Sequence, residues 1–326
     1  MSQTSKGFFG EAAAAIEAHN DIVLVTHILP DGDAIGSLIG LALILRKLNK
    51  NVVASWGNRF AYPPQYSFLE GQEVLVSPDK LPDRPQVLVA LDCGGPERLG
   101  SLEKLLKTSE LTINVDHHRN NSGYAMINAV APDFASTAEM VFEIGKDLGV
   151  SLDKAIAENL YTGLVTDTGR FQYSNTTAGS FVTAAELIGY GVDPARIFRH
   201  IYENTTFERL KLAGVAFSKA VFDEATGLIY TAITKTDFVK TGSSIEDTEN
   251  LIDSLRAVKG ISVAAVFKET DAGWRVSLRS TGKIDVGALA EAKKGGGHRL
   301  AAGYTATGGL DESLQNLRIS LAGGNE

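Results

Sequence analysis

The sequence predicts an α/β protein: a doubly wound, mostly parallel sheet followed by a second, smaller α+β domain. Short β-branched runs without polar alternation recur through the first half, as in strands buried on both faces of a parallel sheet. Helical sequence follows nearly every run, which is the pattern of βαβ units. The length of 326 residues exceeds what one hydrophobic core usually supports, so two domains are expected.

Taken in order, Asp21–Thr26 (DIVLVT) reads as a buried strand and 34–48 as a helix. Asn51–Trp56, 87–92 and Leu111–Asp116 read as further strands. Helices are expected over 136–148, 153–166 and 177–190, the first started by the S-x-x-E capping pattern of Ser136 and Glu139. These elements make a first domain over 1–190. A helix stop at Gly191 to Pro194 opens polar helical sequence, and 191–223 reads as a helical connector. A strand at 227–234, a helix at 244–258, strands at 261–268 and 274–279, a glycine cluster and a last helix then form the smaller domain, 224–326.

Composition narrows the function. With 44% hydrophobic and 21% charged residues the chain is an ordered globular protein. A net charge of −8 disfavours long nucleic acid, which is gripped by clustered Lys and Arg, and suits a small anionic substrate held by a few local cations and metals. No apolar run is long enough to span a bilayer, and the first residues lack a basic start followed by an apolar stretch. The single cysteine, Cys93, excludes an internal disulfide and agrees with a reducing compartment. A cytoplasmic protein without a membrane partner is expected. Cys93 lies between Asp92 and two glycines, where it reads as a small residue in a tight turn or, alternatively, as a nucleophile.

The decisive feature is where Asp and His fall. The first strand runs directly into His27, Asp31 and Asp33; the strand at 87–91 ends in Asp92; Leu111–Asp116 continues into His117 and His118. The helical stretch 159–165 ends in Thr166-Asp167-Thr168-Gly169. The carboxyl ends of strands in an open parallel sheet share one edge, where ligand crevices form, so these segments aim carboxylates and imidazoles at a common point. Each motif alone is a common turn or cap; the ordered set is not. Crowded carboxylates repel one another unless cations neutralise them. Mixed oxygen and imidazole donors suit a divalent first-row metal, manganese first, with cobalt or magnesium as substitutes. A pair of such ions would activate water and clamp an in-line phosphoryl displacement.

The motifs H-x3-D-G-D-A-I-G-S, D-C-G, V-D-H-H and T-D-T-G-R-F, in this order, resemble those of the DHH phosphoesterase superfamily. The tail Gly295-Gly296-Gly297-His298, followed by Ala301-Ala302-Gly303, is similar to the GGGH signature of its DHHA1 subfamily, and length and motif order resemble its nanoRNase and pAp phosphatase group. The likeness covers essentially the whole chain. It implies that His27 and Asp31 bind one metal, that Asp33, His117 and Asp167 bind the other, and that Asp92 bridges. It further implies that Asp116 orients an imidazole, that His118 faces the scissile phosphate, and that a hydroxide shared by the metals attacks phosphorus. The expected substrates are short oligonucleotides or small phosphorylated nucleotides such as adenosine 3′,5′-bisphosphate (pAp).

Recognition is expected from the second domain. Gly296 and Gly297 would let backbone approach an anion; His298 and Arg279 would bind phosphate, the latter with its planar guanidinium. Arg299 divides between ligand contact and surface charge. Arg170 is placed to reach substrate or to pair with Asp167, Phe171 and Tyr173 to stack on a base or to join the core, and Arg98 to act structurally or as a substrate gate. With metals in one domain and the phosphate grip in the other, domain closure would complete the site. An exopolyphosphatase- or pyrophosphatase-like hydrolase and a non-catalytic nucleotide sensor are the alternative functions. A homodimer is compatible with the sheet-rich domains.

Overall fold

A computed structural model describes residues 9–58, 60–249 and 251–323, and the chain divides into two compact units, Met1–Asn204 and Thr205–Glu326. The first contains α1 (Gly10–Glu17), β1 (Asp21–Thr26), α2 (Gly32–Lys47), β2 (Asn51–Trp56), β3 (Val87–Leu91), α3 (Leu105–Thr108), β4 (Leu111–Asp116), β5 (Ile127–Val130), α4 (Thr137–Asp147), α5 (Lys154–Asp167), α6 (Ala178–Gly189) and α7 (Pro194–Tyr202). Its five strands pair in parallel in the order β2-β1-β3-β4-β5. The order reverses between β1 and β3, which places a crevice outside their carboxyl ends.

Two helices frame that crevice. Asp31 caps α2, its carboxylate accepting from the backbone N–H of Asp33 and Ala34 at 3.1 Å. The four-residue spacing of Gly32, Gly36 and Gly40 puts all three on one helix face, and that face lies against α5. A Cβ on Gly36 would stand 2.4 Å from the Asn159 carbonyl oxygen and 2.9 Å from the Gly163 nitrogen, so the two backbones touch. Gly32 meets Thr166 while Gly40 meets Leu160, hence the helices are antiparallel. The start of α2, carrying Asp31 and Asp33, thereby adjoins the end of α5, carrying Asp167.

The segment 191–223, read as a connector, is shared by the two units. α7 is held to the first by Arg196, whose Nη1 donates to both oxygens of the buried Glu158 carboxylate at 2.7 and 2.9 Å. The second unit begins with α8 (Phe207–Ser218) and continues through β6 (Val221–Asp223), β7 (Leu228–Ile233), α9 (Lys235–Thr241), α10 (Leu251–Arg256), β8 (Val263–Thr270), β9 (Gly273–Ser280), α11 (Val286–Ala292), β10 (Gly296–His298), β11 (Ala301–Ala306) and α12 (Leu310–Gly323). Its mixed sheet has the order β10-β11-β9-β8-β7-β6. One face packs Val263, Phe267, Val276 and Leu278 against Val286 and Leu289 of α11 and Leu314 and Leu317 of α12. On the other, Leu212 and Ala216 of α8 and Leu251 and Leu255 of α10 cover Ala264 and Val266.

One expectation changes here: the helix expected over 244–258 is only α10, preceded by a 3-10 turn at Glu246–Thr248. The glycine cluster forms an edge strand, β10, paired antiparallel with β11 across a tight turn. Gly297 carries φ 141°, and a Cβ there would strike Ala302 Cα at 2.4 Å, so only glycine lets β11 approach this closely. Among the described residues no helix is long and apolar enough to cross a membrane.

Candidate metal centre and anion-binding face

In the first unit, the residues expected to meet do meet. His27 Nε2 lies 3.6 Å from Asp92 Oδ2 and 3.9 Å from Asp31 Oδ1. His117 Nε2 lies 3.6 Å from Asp92 Oδ1, 3.6 Å from Asp167 Oδ2 and 3.9 Å from Asp33 Oδ2. Asp92 therefore turns one oxygen to each imidazole. Three groups have potential ligand atoms within 4.8 Å of one another: His27, Asp31 and Asp92; Asp33, His117 and Asp167; and Asp92, His117 and His118. Asp92 holds the left-handed backbone conformation, φ 55°, at the end of β3. That conformation is costly for a non-glycine residue and turns the carboxylate into the crevice.

Burial and charge make this arrangement unhappy without a cation. Burial, then the charges of Asp92, Asp167 and Asp31, push the Asp33 carboxyl well above the ordinary range. Burial likewise pushes Asp167 to about 6, helped by Asp92 and Asp31 and opposed by His117. Burial alone would lift Asp92, but the close approach of His27 and the charges of His27, His118 and His117 outweigh it and hold the group below the usual range. For His27, burial is overcome mainly by Asp92, and the imidazole is raised. Carboxylates that resist joint ionisation beside imidazoles fit a site for divalent cations. The donor set of oxygens and nitrogens matches such ions.

Neighbours fix the geometry. Asp33 accepts from the backbone N–H of Thr137 and Ala138 at 2.7 and 2.9 Å, at the start of α4. Thr137 Oγ1 donates to Asp92 Oδ1 at 3.1 Å, and Asn175 Nδ2 to Asp167 Oδ2 at 3.0 Å. Arg98 brings a guanidinium to 3.1 Å from His27 Nδ1, while its carbonyl accepts from the Ile28 N–H at 2.9 Å. Asp116, fully buried, accepts from His118 Nδ1 at 2.7 Å and from Asn121 Nδ2 at 2.6 Å. The Asp116 hydrogen bond raises the half-exposed His118 to about 9. Cys93 is buried, its thiol pushed up to about 12 by that burial, in keeping with a turn residue and not a nucleophile.

In the second unit Arg279 lies on β9, its Nε 3.7 Å from Asp253 Oδ1 and its Nη1 donating to the Leu278 carbonyl at 3.1 Å. Strand register aligns it with Ala301, and Ala301 in turn with His298. The His298 side chain lies outside the described residues. Gly296 faces open space on the edge strand, and Arg299 is exposed in the turn.

Sequence comparison matches residues 21–164 to the DHH family N-terminal domain and 226–321 to the DHHA1 domain. A protein of Thermus thermophilus named bifunctional oligoribonuclease and PAP phosphatase NrnA is 35% identical over 94% of this chain and 90% of its own length. The chain belongs to the DHH family. The NrnA of Bacillus subtilis is 32% identical over 90% of this chain and 91% of that protein. The crystal structure of an exopolyphosphatase-related protein from Bacteroides fragilis, 26% identical, superposes with a TM-score of 0.87, covering 99% of this chain and 98% of that one.

For this DHH protein, geometry bears on three readings that the sequence leaves open: Arg170, Phe171 and Tyr173. Arg170 makes no ion pair with Asp167 among the described residues; its guanidinium lies over the Tyr202 ring at 5.1 Å. Consecutive left-handed residues, Gly169, Arg170 and Phe171, turn the chain back toward α7 and take the side chain with it. Phe171 stacks on Phe181 at 5.0 Å and packs on the core, whereas Tyr173 stays exposed over Gly169. Thr137, Asn175 and Asn121 were not singled out from sequence, because a lone Thr or Asn beside a turn carries no spacing signal. Thr137 alone had a pointer, as the first residue after the Ser136 cap.

Proposed function

We propose that this chain hydrolyses phosphate esters of short oligonucleotides and of 3′,5′-bisphosphate nucleotides such as pAp, using two divalent cations, manganese preferred and magnesium or cobalt able to substitute. The observation that carries the reading is Asp92, which presents Oδ2 to the His27 group and Oδ1 to the His117 group. His27, Asp31 and Asp92 would hold one cation; Asp33, His117 and Asp167, again with Asp92, the other. Bound there, the cations would supply Lewis-acid activation of water and neutralise charge on the phosphate.

The chain's own residues do the rest. Thr137, Asn175 and the α4 amides fix the carboxylates before substrate arrives, which spares reorganisation during reaction. Asp116 holds the Nδ1 hydrogen of His118 and so directs Nε2 outward; as a cation below about pH 9, His118 can donate from Nε2 to a phosphate oxygen or to the leaving oxygen. Arg279 and the β10 edge supply the anion grip of the second unit. The names of the NrnA relatives favour nucleotide substrates; the exopolyphosphatase-related structure makes polyphosphate the comparison to include.

The test is a panel of pAp, di- to pentanucleotides, pyrophosphate and polyphosphate with manganese. Release of mononucleotide or phosphate from the nucleotide substrates, abolished by chelator and by Asp92→Asn, supports the reading. Turnover that survives both treatments, or is confined to polyphosphate, defeats it.

A further inference from the structure

The second unit offers more cation than one phosphate grip needs. On the face that α8 and α10 partly cover, register sets three rows across the strands: Ala264, Arg279 and Ala301; Val266, Ser277 and Gly303; Lys268, Arg275 and Thr305. The helices pack on the β7–β8 side. At the β9–β11–β10 end of the sheet lies a cleft of about 830 Å³, whose lining includes Arg275, Ser277, Lys294, Gly296, Gly303 and Thr305. Among the described residues, the exposed side chains of Arg275 and Lys294 have no hydrogen-bond or ion-pair partner. Lys268 donates one hydrogen to Ser277 Oγ at 2.8 Å. Burial, then the charges of Arg275 and Arg279, hold its ammonium down at about 8. The acids nearby are Asp253 beside Arg279, Glu249 near Lys268 and Glu246 near Arg275. Asp253 sits at the Arg279 end, and among the described residues the cleft lining contains no acid.

Side chains on one strand face recur every second residue, so Arg275 and Arg279 stand about 13 Å apart along β9. Phosphates flanking a single sugar are closer than that. A bisphosphate nucleotide anchored on Arg279 therefore leaves Arg275 and Lys294 unused, whereas an oligonucleotide anchored there can lay its next-but-one phosphate against them.

We propose that the cleft bounded by Arg275, Ser277, Lys294 and Gly303 is an outer phosphate subsite that selects trinucleotides and longer oligonucleotides and leaves pAp and dinucleotides untouched. It rests on the proposed function for its effect on turnover, but not for binding. Cations spaced along a strand grip the repeating charge of a nucleic-acid backbone, and each contact adds to salt dependence. Gly296 on the edge strand, with open space where a Cβ would lie, leaves room beside them for a sugar.

The experiment uses the full chain. Binding of a fluorescently labelled trinucleotide in chelator, where nothing is cleaved, is measured alongside pAp displacement of a labelled mononucleotide, for wild type, Arg275→Ala, Arg275→Lys and Lys294→Ala. Each lost cation is expected to weaken trinucleotide binding roughly tenfold and flatten its salt dependence, with pAp affinity unchanged and Arg275→Lys recovering most of the loss. With manganese, kcat/KM should fall for trinucleotide and not for pAp. Equal losses for pAp and trinucleotide, or no loss for either, overturn the subsite. If wild type cleaves nothing in the panel, the hydrolase reading fails, and the binding measurements still decide the subsite.

Discussion

Gly36→Ala tests how the first unit brings its carboxylates together. The added Cβ would lie 2.4 Å from the Asn159 carbonyl oxygen, about 1 Å short of ordinary contact, and 2.9 Å from the Gly163 nitrogen. Both obstacles are α5 backbone, so no side-chain rotation relieves them and the helices must part. Overpacking of this kind costs about 1–3 kcal/mol, against which alanine returns up to ~1 kcal/mol of helix propensity. The net loss is about 0–2 kcal/mol, or a fall in melting temperature of up to roughly 8 °C for a unit of this size. Activity should suffer more. Parting α2 from α5 by about 1 Å separates Asp31 and Asp33 from Asp167, and misplacement on that scale can cost on the order of 100-fold. Gly214→Ala is the control: it lies within α8 with nothing near its Cβ, and should stabilise the second unit by up to ~1 kcal/mol. Thermal unfolding, manganese titration and pAp turnover are measured on both. A Gly36→Ala protein with wild-type melting, manganese affinity and kcat/KM would refute the claim that this helix contact sets the site.

Arg196→Ala leaves the buried Glu158 carboxylate, among the described residues, with Lys154 at 3.7 Å as its remaining ion-pair partner; losing the two close charged hydrogen bonds of Arg196 should cost about 2–3 kcal/mol in urea unfolding and free α7 for proteolysis. In the metal-free protein Asp167 titrates at about 6 against an ordinary 3.8, so the folded chain binds more protons than the unfolded one between those values. Its contribution to stability is full below 3.8 and is lost as pH rises through about 6, with Asp33 acting in the same direction. Melting in chelator should show this slope and Asp167→Asn should reduce it, while manganese, which displaces protons, should stabilise more as pH rises. Cys93, buried and held near 12, should resist alkylation in the native protein and react only on unfolding; rapid native labelling would reopen the nucleophile reading.

Legibility from sequence follows how local the signal is. Strands β1 to β4 are apolar, buried nearly throughout and ended by a charged or polar turn, so period and punctuation agree. Strand β5 has four residues and a half-exposed edge position, too little for either signal. Much of the first unit's candidate site was readable because His27, Asp92, His117 and His118 follow strand ends, which share an edge in a parallel sheet, whereas Asp167 ends α5. What holds the site was not. The three glycines of α2 look like loose helix positions until α5 is laid against them, and Thr137 acquires its role only because α4 starts beside Asp33.

The second unit is harder for a physical reason. Its sheet is mixed and antiparallel at β8 through β11, so side chains that act together sit across strands and not at their ends. Cross-strand neighbours depend on register, and a one-residue slip would move every side chain to the other face. The glycine run reads as flexible in isolation because glycine is permissive. Paired with β11 it becomes the reverse, a strand that only glycine can complete at Gly297. Arg279 could be singled out from its place at a strand end, and alternation puts Arg275, four residues earlier, on the same face; that Lys268 of β8 stands beside Arg275 follows only from the pairing of the two strands. The cationic face is thus a property of register, and register is where sequence reasoning without the turn geometry is weakest.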